Sequence, residues 1–157
     1  MARRVFFSFH YDQDIWRANQ VRMANVVAGP DQAGFFDHSE YEEAKRTGPE
    51  GIKRMILRHL NNTTVTVVLI GTHTASRPWV QYEIAESIRR KNGLLGIHIH
   101  HLKDQFGRAV LFRGPKPSVP DGVPFPAYDW DRDVNRFARE IEAAGTRSDI
   151  LRSGFLR

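Results

Sequence analysis

Short apolar runs alternate with amphipathic segments along this chain. The first run, residues 5–9, is apolar on both faces, as expected of a strand inside a parallel sheet. Asp12 and Asp14 then stand where the start of a helix favours carboxylates, and the following segment predicts a helix that ends at residues 29–30. The expected apolar side of that helix comprises Ile15, Trp16, Ala18, Val21, Met23, Ala24 and Val27.

The same alternation continues through the middle of the chain. We expect a short strand at residues 34–37 and a polar loop at residues 38–46. Residues 47–50 then predict a capping box with an early proline, which opens a second helix. The β-branched run at residues 64–70 predicts a buried strand. The core-facing stripe of the second helix comprises Ile52, Met55, Ile56, His59 and Leu60.

The remainder of the chain predicts two helices and two strands. Ser76 is suited to cap a third helix at residues 77–91, because Pro78 fits a first helical turn. The elements expected after it are a strand at 94–102, an irregular segment at 103–126, a short edge strand within 125–130 and a helix at 131–144.

Strands that alternate with helices, without a hairpin signal, predict an α/β fold. We expect a flavodoxin-like open parallel sheet of about five strands with helices on both faces. At 157 residues the chain is suited to one domain, which we place at residues 1–145, followed by a C-terminal tail at residues 146–157. Ligands of such sheets bind beyond the carboxyl ends of the strands, so the loops there are the places to search.

Composition narrows the chemistry. The chain has no cysteine, which excludes disulfides, thiolate metal sites and a cysteine nucleophile. Its net charge of +5 is spread along the chain, so we favour an ordinary surface over a nucleic-acid interface. The apolar runs are too short to cross a bilayer. We therefore expect a cytoplasmic protein with neither a nucleic acid nor a membrane as partner.

The third helix carries the main candidate for chemistry. The sequence contains no GxGxxG, Walker or GxSxG motif, which argues against hydride transfer by a Rossmann site and against a serine hydrolase. Glu86 has Arg90 four residues later, whereas Glu83 has no such partner and lies one turn after Trp79. An unpaired carboxylate beside apolar surface is either a functional group or a solvated side chain, and the residues alone leave both open.

Histidines and Asp37 offer weaker candidates. Alternation along the fourth strand places His98 and His100 on one face and His101 on the other. No carboxylate stands among them at ligand spacing, so we favour core or strand-end histidines and expect no metal. Asp37 either binds a ribose or caps its loop, and the sequence does not distinguish the two.

Three segments together resemble the TIR domain family. Residues 5–10 (VFFSFH) are similar to its first strand, residues 35–37 (FFD) to its second strand, and residues 76–84 (SRPWVQYEI) to its third helix. With residues 93–100 (GLLGIHIH), the pattern is most similar to the TIR-like ThsB proteins of the bacterial Thoeris anti-phage defence system. The resemblance covers roughly residues 4 to 144.

The resemblance implies an enzyme that consumes NAD as a substrate and needs no cofactor. Such an enzyme, a hydrolase or ADP-ribose cyclase, cleaves the nicotinamide–ribose bond and makes a cyclic signalling nucleotide, which activates a separate ThsA-like effector. By the same resemblance, Glu83 is the catalytic carboxylate and the loop after Asp37 gates the pocket. His10 stands where many family members have a basic residue. The substrate-binding residues implied are Phe6, Ser8, His10, Asp37 and Trp79.

Two other functions fit the same segments. A non-catalytic adaptor would use the domain as a surface for other TIR-like chains, and a nucleoside hydrolase or deoxyribosyltransferase would cleave nucleosides and ignore NAD. For the enzyme we expect an almost inactive resting monomer, because the family usually requires self-association or a trigger, here one derived from the phage.

Overall fold

A parallel sheet forms the centre of the molecule. The computed structural model describes residues 3–23 and 38–154, except for the side chain of His38. Within these residues the sheet has four strands, β1 (Val5–Ser8), β2 (Val65–Ile70), β3 (Gly93–His98) and β4 (Ala127–Asp129). They lie in the order β1-β2-β3-β4, and every neighbouring pair is parallel. The predicted strand at residues 34–37 lies outside the described residues.

Helices cover both faces of the sheet. They are α1 (Tyr11–Arg22), α2 (His38–Arg46), α3 (Gly48–Leu60), α4 (Pro78–Arg89) and α5 (Val134–Ser153). On one face Val80 and Ile84 of α4 join a core with strand residues such as Leu94. On the other face α5 approaches so closely that a Cβ on Gly93 would collide with the backbone of Ala144. The predicted α/β architecture is therefore confirmed.

Residues 38–46, expected as a polar loop, form helix α2, so that expectation is wrong. The segment is rich in strong helix formers and contains neither glycine nor proline. Ion pairs three residues apart support it, at Glu42–Lys45 and Glu43–Arg46. Tyr41 and Ala44 pack against the main core. Two inward side chains in nine residues are too few to produce a clear helical periodicity.

The expected caps of two helices also differ from the structure. Thr47 occupies the N-cap position of α3 and Pro49 lies in the first turn, both as predicted, but the Thr47 hydroxyl donates to Ala44 O at 2.8 Å and makes no capping hydrogen bond. Ser76 likewise donates to His73 O at 3.0 Å, and the N-cap of α4 is Arg77. Each hydroxyl is hydrogen-bonded to a carbonyl of the preceding turn. This local hydrogen bond is an alternative to a capping hydrogen bond by the same hydroxyl.

Helix α1 buries part of the side that was expected, because Ala18 and Val21 are buried and Ile15 packs against the main core. Trp16 is 54% exposed and Met23 77% exposed, so neither belongs to the core. The buried positions are occupied partly by a polar pair, because Asp14 accepts a hydrogen bond from Arg17 Nη1 at 2.9 Å. The helix ends at Arg22, while Ala24, Val27 and the predicted stop at residues 29–30 lie outside the described residues.

The last helix is longer than predicted. Helix α5 begins at Val134 with Asp133 as its N-cap and continues to Ser153, so the expected end at residue 144 is wrong. The proposed boundary between residues 145 and 146 falls inside this helix. Buried small residues, Ala144, Gly145 and Ser148, continue the inward face beyond the apolar positions that the pattern revealed. No helix in the described part of the chain has both the length and the apolar character needed to span a membrane.

Candidate functional site

A small cavity lies where β1 ends and α1 and α4 begin. Residues of these elements and of α2 and α3 line it, and its volume is about 50 Å³. A typical small-molecule site encloses about 300–1,000 Å³, so the cavity in this arrangement holds a few water molecules and excludes a dinucleotide. The position agrees with the rule that ligands of parallel sheets bind beyond the carboxyl ends of the strands.

Glu83 lines this cavity and contacts Ser8, which is fully buried and lies outside the described lining. Ser8 is the last residue of β1, and its Oγ donates a hydrogen bond to Glu83 Oε1 at 2.6 Å. Glu83 lines the cavity, yet its side chain is almost completely buried. Burial raises the pKa of Glu83 to about 8, while the hydrogen bond from Ser8 acts in the opposite direction. In this arrangement the carboxyl group is therefore mainly neutral at pH 7.

Trp79 provides an aromatic wall of the same cavity, as its position one turn before Glu83 predicts. Its indole packs edge-on against Tyr82, with ring centroids 5.8 Å apart and an interplanar angle of 89°. An aromatic ring held by a neighbour in this way is a rigid surface for a flat heterocycle or a sugar.

His10 also lines the cavity, but as a weak cation. Its Nδ1 lies 3.1 Å from Gln13 Oε1 at the start of α1. Burial lowers the pKa of His10, and the nearby Arg77 lowers it further. The imidazole is accordingly neutral near pH 7 and is poorly suited to bind a pyrophosphate by charge.

Two further predicted binding residues, like Ser8, do not belong to the described lining of the cavity. Phe6 is completely buried in the main core and does not belong to the described lining. Asp37 lies outside the described residues. The structure thus brings together Ser8, His10, Trp79 and Glu83 of the residues proposed from the sequence.

The lining residues that sequence reasoning did not propose for the site include Tyr11, Tyr41 and Arg77. Tyr41 of α2 stacks on Tyr11 of α1, with ring centroids 4.1 Å apart and an interplanar angle of 22°. A signal existed for Arg77, because it directly precedes Pro78 at a helix start, where free backbone N–H groups favour an anion. No comparable signal existed for Tyr41, whose segment was interpreted as a loop.

Helix α2 is held over the cavity by Glu40. This carboxylate accepts a hydrogen bond from Arg58 Nη2 at 2.6 Å and lies 2.7 Å from His59 Nε2, so it joins α2 to α3. Burial opposes the charge on Glu40, but the hydrogen bonds from His59 and Arg58 prevail and lower its pKa. The charged form of Glu40 therefore favours the arrangement in this structure, in which α2 lies beside the cavity and which we call the closed arrangement.

Away from the cavity, three potential metal ligands meet beside β3. Donor atoms of His98, His100 and Asp129 lie within 4.8 Å of one another. No carboxylate stands among these histidines at ligand spacing in the sequence, but Asp129 supplies one from the neighbouring strand β4. Spacing along the chain cannot reveal a ligand that strand pairing brings in.

The parallel α/β fold, with Glu83 of α4 buried and hydrogen-bonded to Ser8 at the end of β1, has the arrangement of a TIR-like domain. The family model "Thoeris protein ThsB, TIR-like domain" matches residues 6–104. The chain is also 45% identical over 139 residues to "Putative cyclic ADP-D-ribose synthase ThsB1" of Bacillus cereus (strain MSX-D12). The aligned region covers 83% of this chain and 72% of that protein. The chain belongs to the ThsB TIR-like family of Thoeris proteins, as its motifs indicated.

Proposed function

We propose that this protein consumes NAD, cleaves the nicotinamide–ribose bond and converts the ADP-ribosyl group into a cyclic signalling nucleotide. The observation that carries the proposal is the position of Glu83. Its buried carboxyl group is hydrogen-bonded to Ser8 at the edge of the sheet where ligands of such folds bind. The name of the relative, a cyclic ADP-ribose synthase, supports the same reaction class.

The chemistry requires a negative charge beside the ribose. The glycosidic bond joins the ribose to the cationic ring nitrogen of nicotinamide. When this bond breaks, its electron pair stays with that nitrogen, neutral nicotinamide leaves, and positive charge develops on the sugar. Ionised Glu83 stabilises that charge, and the low polarity around it strengthens the interaction. The cationic nicotinamide ring itself lowers the pKa of a neighbouring carboxyl group, so substrate binding favours the ionised form of Glu83.

The substrate needs a larger cavity than the closed arrangement provides. Tyr41 and Trp79 face the same space as Glu83, and Tyr41 belongs to α2, which is attached to α3 through Glu40. The family resemblance implied that the loop after Asp37 gates the pocket. We assign that gating role to helix α2. A displacement of α2 enlarges the cavity and hydrates Glu83, which prepares both substrate entry and ionisation.

The pyrophosphate is best assigned to Arg77. Arg77 lines the cavity at the N-terminal end of α4, where backbone N–H groups also favour an anion, and its side chain carries a guanidinium group. Arg77 thereby supplies the positive charge that the neutral His10 does not provide. His10 remains suited to a neutral hydrogen bond with the substrate.

Cyclisation follows when a nucleophile of the same ADP-ribosyl group reaches the anomeric carbon before water does. That attack forms the new bond, and one proton is released together with nicotinamide. A closed site favours this outcome because it excludes water and holds the two ends of the molecule together. The product then signals to a ThsA-like effector, and the resting enzyme is activated by self-association or by a phage-derived trigger.

The deciding experiment is to incubate the full chain with NAD, with and without lysate of phage-infected cells, and to separate the products by chromatography. We expect nicotinamide and a cyclic ADP-ribose isomer in equal amounts. Nicotinamide with linear ADP-ribose would retain the NAD-cleaving enzyme and reject the cyclase. Cleavage of nucleosides without cleavage of NAD would favour a nucleoside hydrolase, and binding of TIR-like chains without any cleavage would favour an adaptor.

A further inference from the structure

A second site lies at the carboxyl ends of β3 and β4, outside the glutamate cavity. His98 is the last residue of β3 and is the register partner of Asp129 at the end of β4. Paired residues of neighbouring parallel strands direct their side chains to the same face of the sheet. His100 follows His98 by two positions, and all three side chains offer donor atoms within 4.8 Å of one another.

The two imidazoles are buried without hydrogen-bond partners on one ring nitrogen each. His98 is 6% exposed and His100 is 5% exposed, and the Nδ1 atom of each has no partner in the structure. Buried polar atoms are almost always satisfied, because an unsatisfied one costs free energy. Because both histidines also meet a carboxylate, a cation that accepts nitrogen lone pairs would satisfy this group of side chains.

Asp129 is oriented by a contact of its own. Arg113 Nε donates a hydrogen bond to Asp129 Oδ1 at 2.8 Å, so the carboxylate is fixed while its other oxygen can serve a ligand. Metal-binding carboxylates and histidines are typically held by such supporting hydrogen bonds. The Asp129 side chain is 46% exposed, which leaves one side of the cluster accessible to water.

We propose that His98, His100 and Asp129 bind a divalent transition-metal cation of the Zn²⁺ class, with a further coordination position open to water. Two imidazoles and one carboxylate are a donor set that Zn²⁺ uses when it retains a water ligand. Hard cations such as Mg²⁺ prefer oxygen donors throughout, so they fit this set less well. The donors need to approach to about 3.3 Å of one another around Zn²⁺, which small side-chain rotations achieve.

Calorimetric titration of Zn²⁺ into the full chain, prepared without a histidine tag and freed of metal by a chelator, tests this site. We expect one Zn²⁺ per chain with a dissociation constant on the order of micromolar or tighter. Replacement of Zn²⁺ by Co²⁺ should give the visible absorption bands of a tetrahedral or five-coordinate centre. Absence of saturable binding would overturn the proposal.

Paired variants locate the ion. Asp129→Asn and His98→Gln should each weaken Zn²⁺ binding at least tenfold. The exposed residues His73 and Asp121 provide matched controls, so His73→Gln and Asp121→Asn should bind as the wild type does. If His98→Gln fails to fold by circular dichroism, the partly exposed Asp129→Asn decides alone. Equal affinity in Asp129→Asn and wild type would overturn the assignment of these ligands.

Discussion

The protonation state of Glu83 connects the architecture of the cavity with its proposed chemistry. Burial holds the pKa of this group at about 8, and Ser8 is the neighbour that favours the charged form. The ionised fraction is therefore small in the closed arrangement at pH 7 and increases when water or a cationic substrate reaches the carboxyl group. A single residue can thus keep the resting site inactive without any change in its position.

Removal of the Ser8 hydroxyl should make ionisation of Glu83 harder. The rising limb of the kcat/KM profile against pH reports the pKa of Glu83 in the free enzyme. In Ser8→Ala we expect this limb to shift to higher pH by about one pH unit. NAD cleavage at pH 7 should then fall about tenfold and recover at higher pH. Ser148→Ala, which removes another buried serine hydroxyl far from the cavity, should keep the wild-type profile. An unchanged limb in Ser8→Ala would contradict the assigned role.

Glu83 should also make the stability of the protein depend on pH. Its folded-state pKa of about 8 lies above the ordinary value of 4.5, so its contribution is fully present below pH 4.5 and is lost as pH rises through 8. Relative to Glu83→Gln, the wild type should lose a few kcal/mol of unfolding free energy between pH 5 and pH 9. Urea unfolding of both proteins measures this difference, and parallel pH profiles would contradict it.

At the scale of elements, segments with a strong periodicity were predictable and α2 was not. The β-branched run of β2 and the apolar stripe of α3 correspond to a buried strand and to a helix packed on the core. Helix α2 depends instead on contacts with distant residues, such as the hydrogen bond of Glu40 with Arg58 and the stacking of Tyr41 on Tyr11. Such contacts leave little mark on the local pattern.

Loosening α2 should open the cavity. In Glu40→Gln the charge that binds Arg58 and His59 is lost, so we expect amide hydrogen exchange in residues 38–46 to accelerate several-fold. Basal NAD cleavage should rise with it, because the closed arrangement excludes the substrate. Glu43→Gln is the matched control, since Glu43 pairs within α2 with Arg46. Faster exchange without any gain in cleavage would show that α2 does not gate the site.

At the scale of the whole molecule, the C-terminal part of α5 fastens the opposite end of the sheet. Arg152 Nη2 donates to Asn92 Oδ1 at 2.7 Å, and Asn92 Nδ2 donates to Thr63 Oγ1 at 3.0 Å and Thr66 Oγ1 at 3.1 Å. These residues join α5 to the N-terminal ends of β2 and β3. Residues 146–153, which the sequence indicated as part of a tail, therefore belong to α5 and pack on the sheet.

Arg152→Ala should consequently destabilise the fold. The buried amide of Asn92 loses its charged donor, which we expect to cost about 1–2 kcal/mol of unfolding free energy. Arg139→Ala removes an exposed arginine from the same helix and should change stability by less than about 0.5 kcal/mol. Chemical denaturation of the two variants beside the wild type measures the contrast, and equal midpoints for both variants would refute it.

The candidate site was predictable where local motifs carried it. Ser8 and Glu83 were named because residues 5–10 and 76–84 resemble segments of TIR domains, and the structure joins the two side chains by a hydrogen bond. Tyr41 and Asp129 could not be found in this way, because chain segments far apart in sequence bring them to their sites. Phe6 was misplaced because a strand residue on the correct face still lies too deep in the core.

The most direct test is the rate of nicotinamide release from NAD by the wild type, Glu83→Gln and Glu86→Gln. Glu86 lies three residues further along α4 and forms an ion pair with Arg89, so its variant controls for loss of a carboxylate from the same helix. With all three proteins folded and supplied with the same infected-cell lysate, we predict that Glu83→Gln loses at least a hundredfold in kcat/KM, equivalent to about 3 kcal/mol. Glu86→Gln should retain wild-type activity. Comparable rates for Glu83→Gln and the wild type would contradict the account.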